Sequence, residues 1–318
     1  MKSAAHSMRL PLRFKKKTER VFEVDFCRGV AIVLMVLIHA CYALGYGATS
    51  LFYWPSHAPE RILKSEAFFQ FIFLSITQPD GAAAGTSSLY YMYGYNMNTN
   101  LFCLEVFFAG LFIFLCGISC SFSRSNHKRA IQLSYVSILL TITLETISTF
   151  VPGFSFHIWF GILNSLSFAL VVYCVFDHFC KEYWKHLLFV IPLFFINAYV
   201  LLKAFPNNVM AYYSPTSSRD FASWAYDWGG LLVGRHRFGD DYFSPFLVTL
   251  VLFLGGIVGK TLYKDKKSVF PRDFPTKWAN GFLFFGRHTL LIYLVHQVLI
   301  FLVMGIVFLS LGARIKGF

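Results

Sequence analysis

The chain has 318 residues, 56% of them hydrophobic and 14% charged, with a formal net charge of +12. Its apolar residues fall in blocks of roughly 20, the length that spans a bilayer core, which excludes a soluble globular domain and predicts an all-α polytopic membrane protein. The basic excess would also suit a nucleic-acid partner, but its distribution excludes that as well, because it follows the alternation of the blocks.

The first 24 residues carry Lys2, Arg9, Arg13, Lys15, Lys16, Lys17 and Arg20. A basic run before an apolar stretch resembles a secretory signal. Here no small-residue cleavage site closes it, and the stretch holds ionisable residues, so a retained first span is expected. That span, 29–46, follows Asp25 and Arg28 and contains His39. At about 100° per residue the eleven steps from Arg28 to His39 return to within about 20° of one face, with a separation of about 16 Å; Asp25 joins that face. Ionisable groups at membrane depth are costly, so an aligned set of them points to a functional site. The alternative is a snorkelled Arg28–Asp25 anchor with His39 as a hydrogen-bonded interior residue.

A long connection, 47–100, contains His57 in a Trp-Pro-Ser-His-Ala-Pro setting. It also holds a ten-residue apolar stretch, 67–76, expected to be re-entrant or interfacial, with a tilted extra span as the alternative. The second window, 101–122, opens with Glu105 at its mouth. The third, 131–151, aligns Ser134, Thr141, Glu145, Ser148 and Thr149 on one face, which should point into the bundle. Windows 157–177, starting at His157 and containing Asn164, and 187–205 follow. The second long connection, 206–242, mixes aromatics with Arg235, His236, Asp240 and Asp241. That mixture suits a polyhydroxylated ligand or, for the aromatics, an interfacial belt. Window 243–263 leads into a charged connection, 264–280, with Pro271 and Pro275. The last window, 289–311, aligns Thr289, Tyr293 and His296, so His296 should face the interior.

Seven spans with the N-terminus in the cytoplasm place 18 lysines and arginines on the inner side and 8 on the outer, as the positive-inside rule requires. The seven cysteines lie in or beside spans without metal-type spacing, so packing roles, no disulfide framework and no metal site are expected.

Several blocks resemble the transmembrane acyltransferases, in particular the branch named for heparan-alpha-glucosaminide N-acetyltransferase, whose bacterial members are short proteins of this kind. They are Asp25-Phe26-Cys27-Arg28-Gly29 with the Arg-x10-His spacing to His39, Phe114-Leu115-Cys116-Gly117-Ile118-Ser119 ending in Ser123-Arg124, and Phe156-His157-Ile158-Trp159-Phe160-Gly161-Ile162-Leu163-Asn164. Two more are Asp241-Tyr242-Phe243-Ser244-Pro245-Phe246 and the run from Gly286-Arg287-His288 to His296-Gln297. The family's third block commonly ends in Leu-His, where this chain has Leu163-Asn164.

The resemblance implies a basic cytoplasmic segment, 1–24, before a single transmembrane acyltransferase domain, 25–318. It implies transfer of an acetyl or other acyl group from cytoplasmic acyl-CoA to an amino or hydroxyl group of a sugar-like acceptor across a multi-pass cell membrane. Arg28 and Asp25 are then expected at the coenzyme, and His39 as base or acylated nucleophile, with Glu105 orienting it. The lysosomal members place their histidine in the first lumenal loop, which keeps His57 as a rival. Asp241, Arg235, His236, His157, Asn164 and His296 are the expected acceptor contacts. Expected partners are acyl-CoA, a glycan or amino-sugar acceptor and membrane lipids; a homo-oligomer is left open. The competing reading is a transporter or permease in which Arg28, His39 and a glutamate form a proton relay, which would call for paired repeats with broken helices. No such repeat is visible.

Overall fold

A computed structural model describes residues 21–44, 52–53, 64, 68, 104–123, 125–150, 158–204, 228–233, 242–263, 268 and 276–315. Among them the elements run α1 (Phe22–Tyr42), β1 (Phe52–Tyr53), α2 (Leu104–Phe122), α3 (Asn126–Phe150), α4 (Ile162–Phe179), α5 (Tyr183–Ala204), α6 (Trp228–Val233), α7 (Pro245–Leu262), α8 (Thr276–Arg287), α9 (Thr289–Ser310) and β2 (Arg314–Ile315). Six of the helices, α1, α3, α4, α5, α7 and α9, are long and apolar enough to cross a membrane. The shorter apolar stretch Phe107–Phe122 of α2 makes a seventh candidate. The architecture is that of an all-α polytopic membrane protein. The expected stretch at 67–76 lies outside the described residues except for Phe68, which is helical.

Helix ends follow local chemistry. Glu23 and Asp25 sit in the first turn of α1, where carboxylates complement the helix dipole. Ser244 caps α7 by accepting the Leu247 N–H, with Pro245 directly after it at a position that needs no donor. Gly312, at φ +94°, ends α9: its N–H reaches the Leu309 carbonyl, and Ala313 N–H reaches the Phe308 carbonyl. This is the Schellman arrangement, and Ala313 and Phe308 also share an apolar cluster, as that motif favours. The chain then pairs antiparallel with β1, Phe52 opposite Ile315 and Tyr53 opposite Arg314.

Close packing depends on small residues, because in lipid there is no hydrophobic drive between helices and van der Waals contact has to supply the attraction. On α7, Gly255 lies against the Phe114 carbonyl and Gly259 against that of Ile118, while Gly117 of α2 lies against the Leu252 carbonyl; a Cβ at any of these would collide. Gly256 leaves room for the ring of Tyr173, which is fully buried on α4. The core is built from α2, α4 and α7 with Leu166, Leu170, Leu252 and Phe253. Large apolar side chains such as Phe195, Leu291, Val298 and Ile306 point outward, toward lipid. Six of the cysteines are described; all are free, and Cys116, Cys120 and Cys174 are core residues, in line with the packing role expected of them.

Contacts between helix ends order the bundle. Arg28 of α1 meets Ser119 near the end of α2. The Asn126 amide at the start of α3 donates to the Cys120 carbonyl at 2.9 Å. Phe122 meets Tyr263 just beyond α7, with ring centroids 5.5 Å apart. Lys260 near the end of α7 joins Asp177 at the end of α4 and bonds His186 Nε2 near the start of α5 at 2.8 Å. Arg287 at the end of α8 faces Asp25. Successive spans therefore alternate in direction, and the start of α1 and the strand after α9 lie at opposite ends.

One element differs from expectation. The charged connection read as 264–280 contains the start of α8. Its apolar face, with Ala279 and Leu283 buried, docks on α1, whereas its charges and Pro271 and Pro275 gave the segment the composition of a loop. Packing against α1, rather than helix propensity, holds it.

Candidate active site

Two of the sequence blocks close on each other where α1 meets α8. Gly29 lies against the Phe282 carbonyl and Gly286 against the Asp25 carbonyl, so neither position has room for a side chain and the backbones touch. Around this crossing the charges interlock. Arg28 Nη2 donates to Ser119 Oγ and, at 3.2 Å, to the Leu115 carbonyl. Arg28 Nη1 is 3.9 Å from Asp25 Oδ1, and Arg287 Nε is 3.7 Å from Asp25 Oδ2. One carboxylate thus stands between two guanidiniums. Arg28 is largely enclosed, while the Arg287 side chain is 48% exposed, so of the two Arg287 presents more charge to an incoming anion.

Further along α1, His39 meets His296 of α9, with ring centroids 5.0 Å apart and planes at 54°. His39 Nδ1 lies 3.0 Å from the Met35 carbonyl, and His296 Nδ1 lies 2.6 Å from the Tyr293 carbonyl. A carbonyl only accepts, so each Nδ1 carries the hydrogen and, in the neutral ring, each Nε2 is left with a lone pair. His296 is 7% exposed, and its Nε2 is buried without a hydrogen-bond partner among the described residues. Two imidazole bases therefore stand together at membrane depth, about 16 Å along α1 from Arg28.

Of the residues singled out in the sequence, Asp25, Arg28, His39 and His296 are brought onto this α1–α9 side. Asn164 is not: its amide donates to Thr141 Oγ1 at 2.9 Å and to the Trp159 carbonyl at 2.6 Å, tying α4 to α3. His57, His157, Arg235, His236 and Asp241 lie outside the described residues, as does the side chain of Glu105. The blocks around 156–164 and 241–246 meet through Phe243 N–H on the Phe160 carbonyl at 2.8 Å and Ser165 Oγ on the Phe243 carbonyl at 2.5 Å. Arg287 and Ser119 are site residues that the sequence reading quoted inside motifs without giving them a role. The signal for Arg287 was its place beside a histidine at the foot of the last span.

A polytopic helical bundle with a paired-histidine centre and a guanidinium cluster at one end has the makings of a membrane-embedded group-transfer enzyme. The chain matches the heparan-alpha-glucosaminide N-acetyltransferase catalytic family over residues 20–77 and 86–298 and belongs to it. At the level of that family it is a membrane acetyltransferase. Neither curated proteins nor solved structures provide a match.

Proposed function

We propose that the protein moves an acetyl or other acyl group from cytoplasmic acyl-CoA to an amino or hydroxyl group of a sugar-like acceptor on the other side of the membrane. The observation that carries this reading is the His39–His296 pair, with His39 on the same helix as Arg28 and about one bilayer leaflet away from it. The coenzyme phosphates dock at the Arg28 end, against Arg287 with Arg28 and Asp25 behind it, through charge-assisted bonds. The pantetheine arm runs along α1 to the histidines. The acceptor enters from the opposite end through a mouth made by connections 47–100 and 206–242, where Arg235, His236 and Asp241 contact it and Glu105 orients it or His39.

As the acceptor nitrogen or oxygen forms its bond to the thioester carbonyl, His39 Nε2 takes its proton. The C–S bond then breaks, and the departing sulfur recovers that proton from the imidazolium, giving the acylated acceptor and free coenzyme A. His296 Nε2, a lone pair beside the first ring, accepts a hydrogen bond from the protonated His39 and stabilises it. The N-terminus is cytoplasmic in this scheme, consistent with the 18 basic residues on that side.

The test uses purified protein in nanodiscs, acetyl-CoA and a panel of amino sugars, with thiol release and acetylated product as readouts. Acetyl transfer that disappears in His39→Ala is the expected result. Normal transfer in His39→Ala with loss in His57→Ala would move the chemistry to the first connection.

A further inference from the structure

At the Arg28 end of the bundle a cavity of about 370 Å³ lies among the start of α5 and the ends of α2 and α7. That volume falls within the range of small-molecule sites. Its lining includes Ser121, Lys260 and Tyr263 on one side and Lys181, Glu182, Tyr183 and Trp184 on the other, and none of Asp25, Arg28 and Arg287. Ser119, which meets Arg28, and Ser121 stand two residues apart on α2, about 200° around the helix, so the cavity and the guanidinium cluster lie on different faces of α2. The cavity also sits where the chain turns from α4 into α5, the level at which head groups meet the spans and at which tryptophan and tyrosine collect.

Most polar groups of the wall are committed. The Lys260 ammonium meets Asp177, the Lys181 carbonyl at 2.9 Å and His186 Nε2 at 2.8 Å, and the Asp177 carboxylate balances its charge. The Glu182 carboxylate is 3.4 Å from the Lys185 ammonium. Ser121 Oγ donates to the Ile118 carbonyl at 2.7 Å, and the Tyr263 hydroxyl donates to Glu23. Among the described residues this leaves the Lys181 ammonium, the Trp184 indole N–H and the Tyr183 hydroxyl without a hydrogen-bond partner. All three can give hydrogens, and the lysine supplies the one positive charge that no neighbouring carboxylate balances. The first N–H groups of α5, which have no partner within the helix, add to the same polarity. An anion fits. From Trp184 the way along α5 is apolar: Leu187, Leu188, Ile191 and Phe195 share its helix face and are all exposed toward lipid.

We propose that this cavity binds the phosphate of an anionic phospholipid, which takes hydrogens from Lys181, Trp184 and Tyr183 while its acyl chains lie along the apolar stripe of α5. The site is separate from acyl transfer and does not rest on that activity. The test titrates the full chain in neutral detergent with phosphatidylglycerol, phosphatidylcholine and diacylglycerol of matched chains, and counts bound lipids by native mass spectrometry. One phosphatidylglycerol is expected to bind saturably, at least tenfold tighter than either of the others. Lys181→Glu should weaken it at least tenfold, and Trp184→Phe, which keeps a ring and loses the N–H, about threefold, both at exposed positions and with the melting temperature retained. Lys128→Glu, at an exposed position that does not line the cavity, should leave the affinity unchanged. Coenzyme A and inorganic phosphate, the soluble sources of the same chemistry, should not displace the lipid. Equal binding of phosphatidylglycerol and diacylglycerol, or unchanged affinity in Lys181→Glu, overturns the proposal. Equal losses in Lys181→Glu and Lys128→Glu overturn it too, by reducing the effect to general surface attraction, and competitive displacement by coenzyme A would hand the cavity to the donor.

Discussion

At the residue scale the proposed mechanism divides the work of the two histidines unequally, and substitution should separate them. His39→Ala is expected to lower turnover about 10²–10⁴-fold, the usual worth of a positioned base, while acyl-CoA binding persists. His296→Gln should lower turnover less and leave KM for both substrates nearly unchanged, since its partner is the protonated form of His39. Equal turnover in His296→Gln and wild type would reduce that ring to packing. Because the base acts as a neutral imidazole, turnover of the wild type should decline as pH falls through the imidazole titration, measured with donor saturating. The arginines should separate too. Arg287→Ala is expected to weaken acyl-CoA binding roughly tenfold or more, as loss of a charge-assisted bond does, with the melting temperature retained. Arg28→Ala strips Ser119 and Asp25 of a partner inside the bundle, so it should lower stability as well, and Arg28→Lys should restore only part because the planar fork is lost. Arg28, His39 and His296 were legible in the sequence because helical periodicity alone puts them on interior faces. The place of Arg287 beside Asp25 was not, because it depends on α8 folding back against α1, a contact between segments more than 250 residues apart.

At the scale of elements, the α1–α8 crossing is the most demanding contact. Gly29→Val or Gly286→Val drives a side chain into a backbone carbonyl, which cannot yield as a flexible side chain would. Either variant is expected to lose about 1–3 kcal/mol or more, read as a lower melting temperature in detergent, and to lose activity because Asp25 and Arg287 move apart. Gly110 and Gly281, with open space where a Cβ would stand, are the controls, and their alanine variants should keep the wild-type melting temperature. Most span ends were readable to within about five residues, since blocks of apolar side chains set them, but α1 begins seven residues before its expected window because its first turns carry Glu23, Asp25 and Arg28. The glycine contacts explain why the blocks at 25–29 and 286–288 carry glycines, which the sequence presents only as a shared pattern. The α3 stripe was readable as a face, but its setting was not: Thr141 and Glu145 border a cavity instead of entering the core, because α3 packs chiefly on α4 at the edge of the bundle.

At the scale of the whole molecule, the alternation of seven helices puts the two ends of the described chain on opposite sides of the bundle. A cysteine replacing Lys316 should react with an impermeant thiol reagent in intact cells, and one replacing Ser3 only after the membrane is opened. The reverse pattern would invert the molecule, and labelling of both on one side would require an even number of crossings. The strand pair at the far end has a mechanical consequence. Phe52 and Ile315 tie the segment after α1 to the segment after α9, Phe52 stacks edge-on against Phe308 at 5.6 Å, and at the other end Asp25 and Arg287 tie the same two stretches of chain. His39, in the last turn of α1, and His296 therefore lie on two stretches of chain tied together at both ends, and those ties fix the gap between their rings.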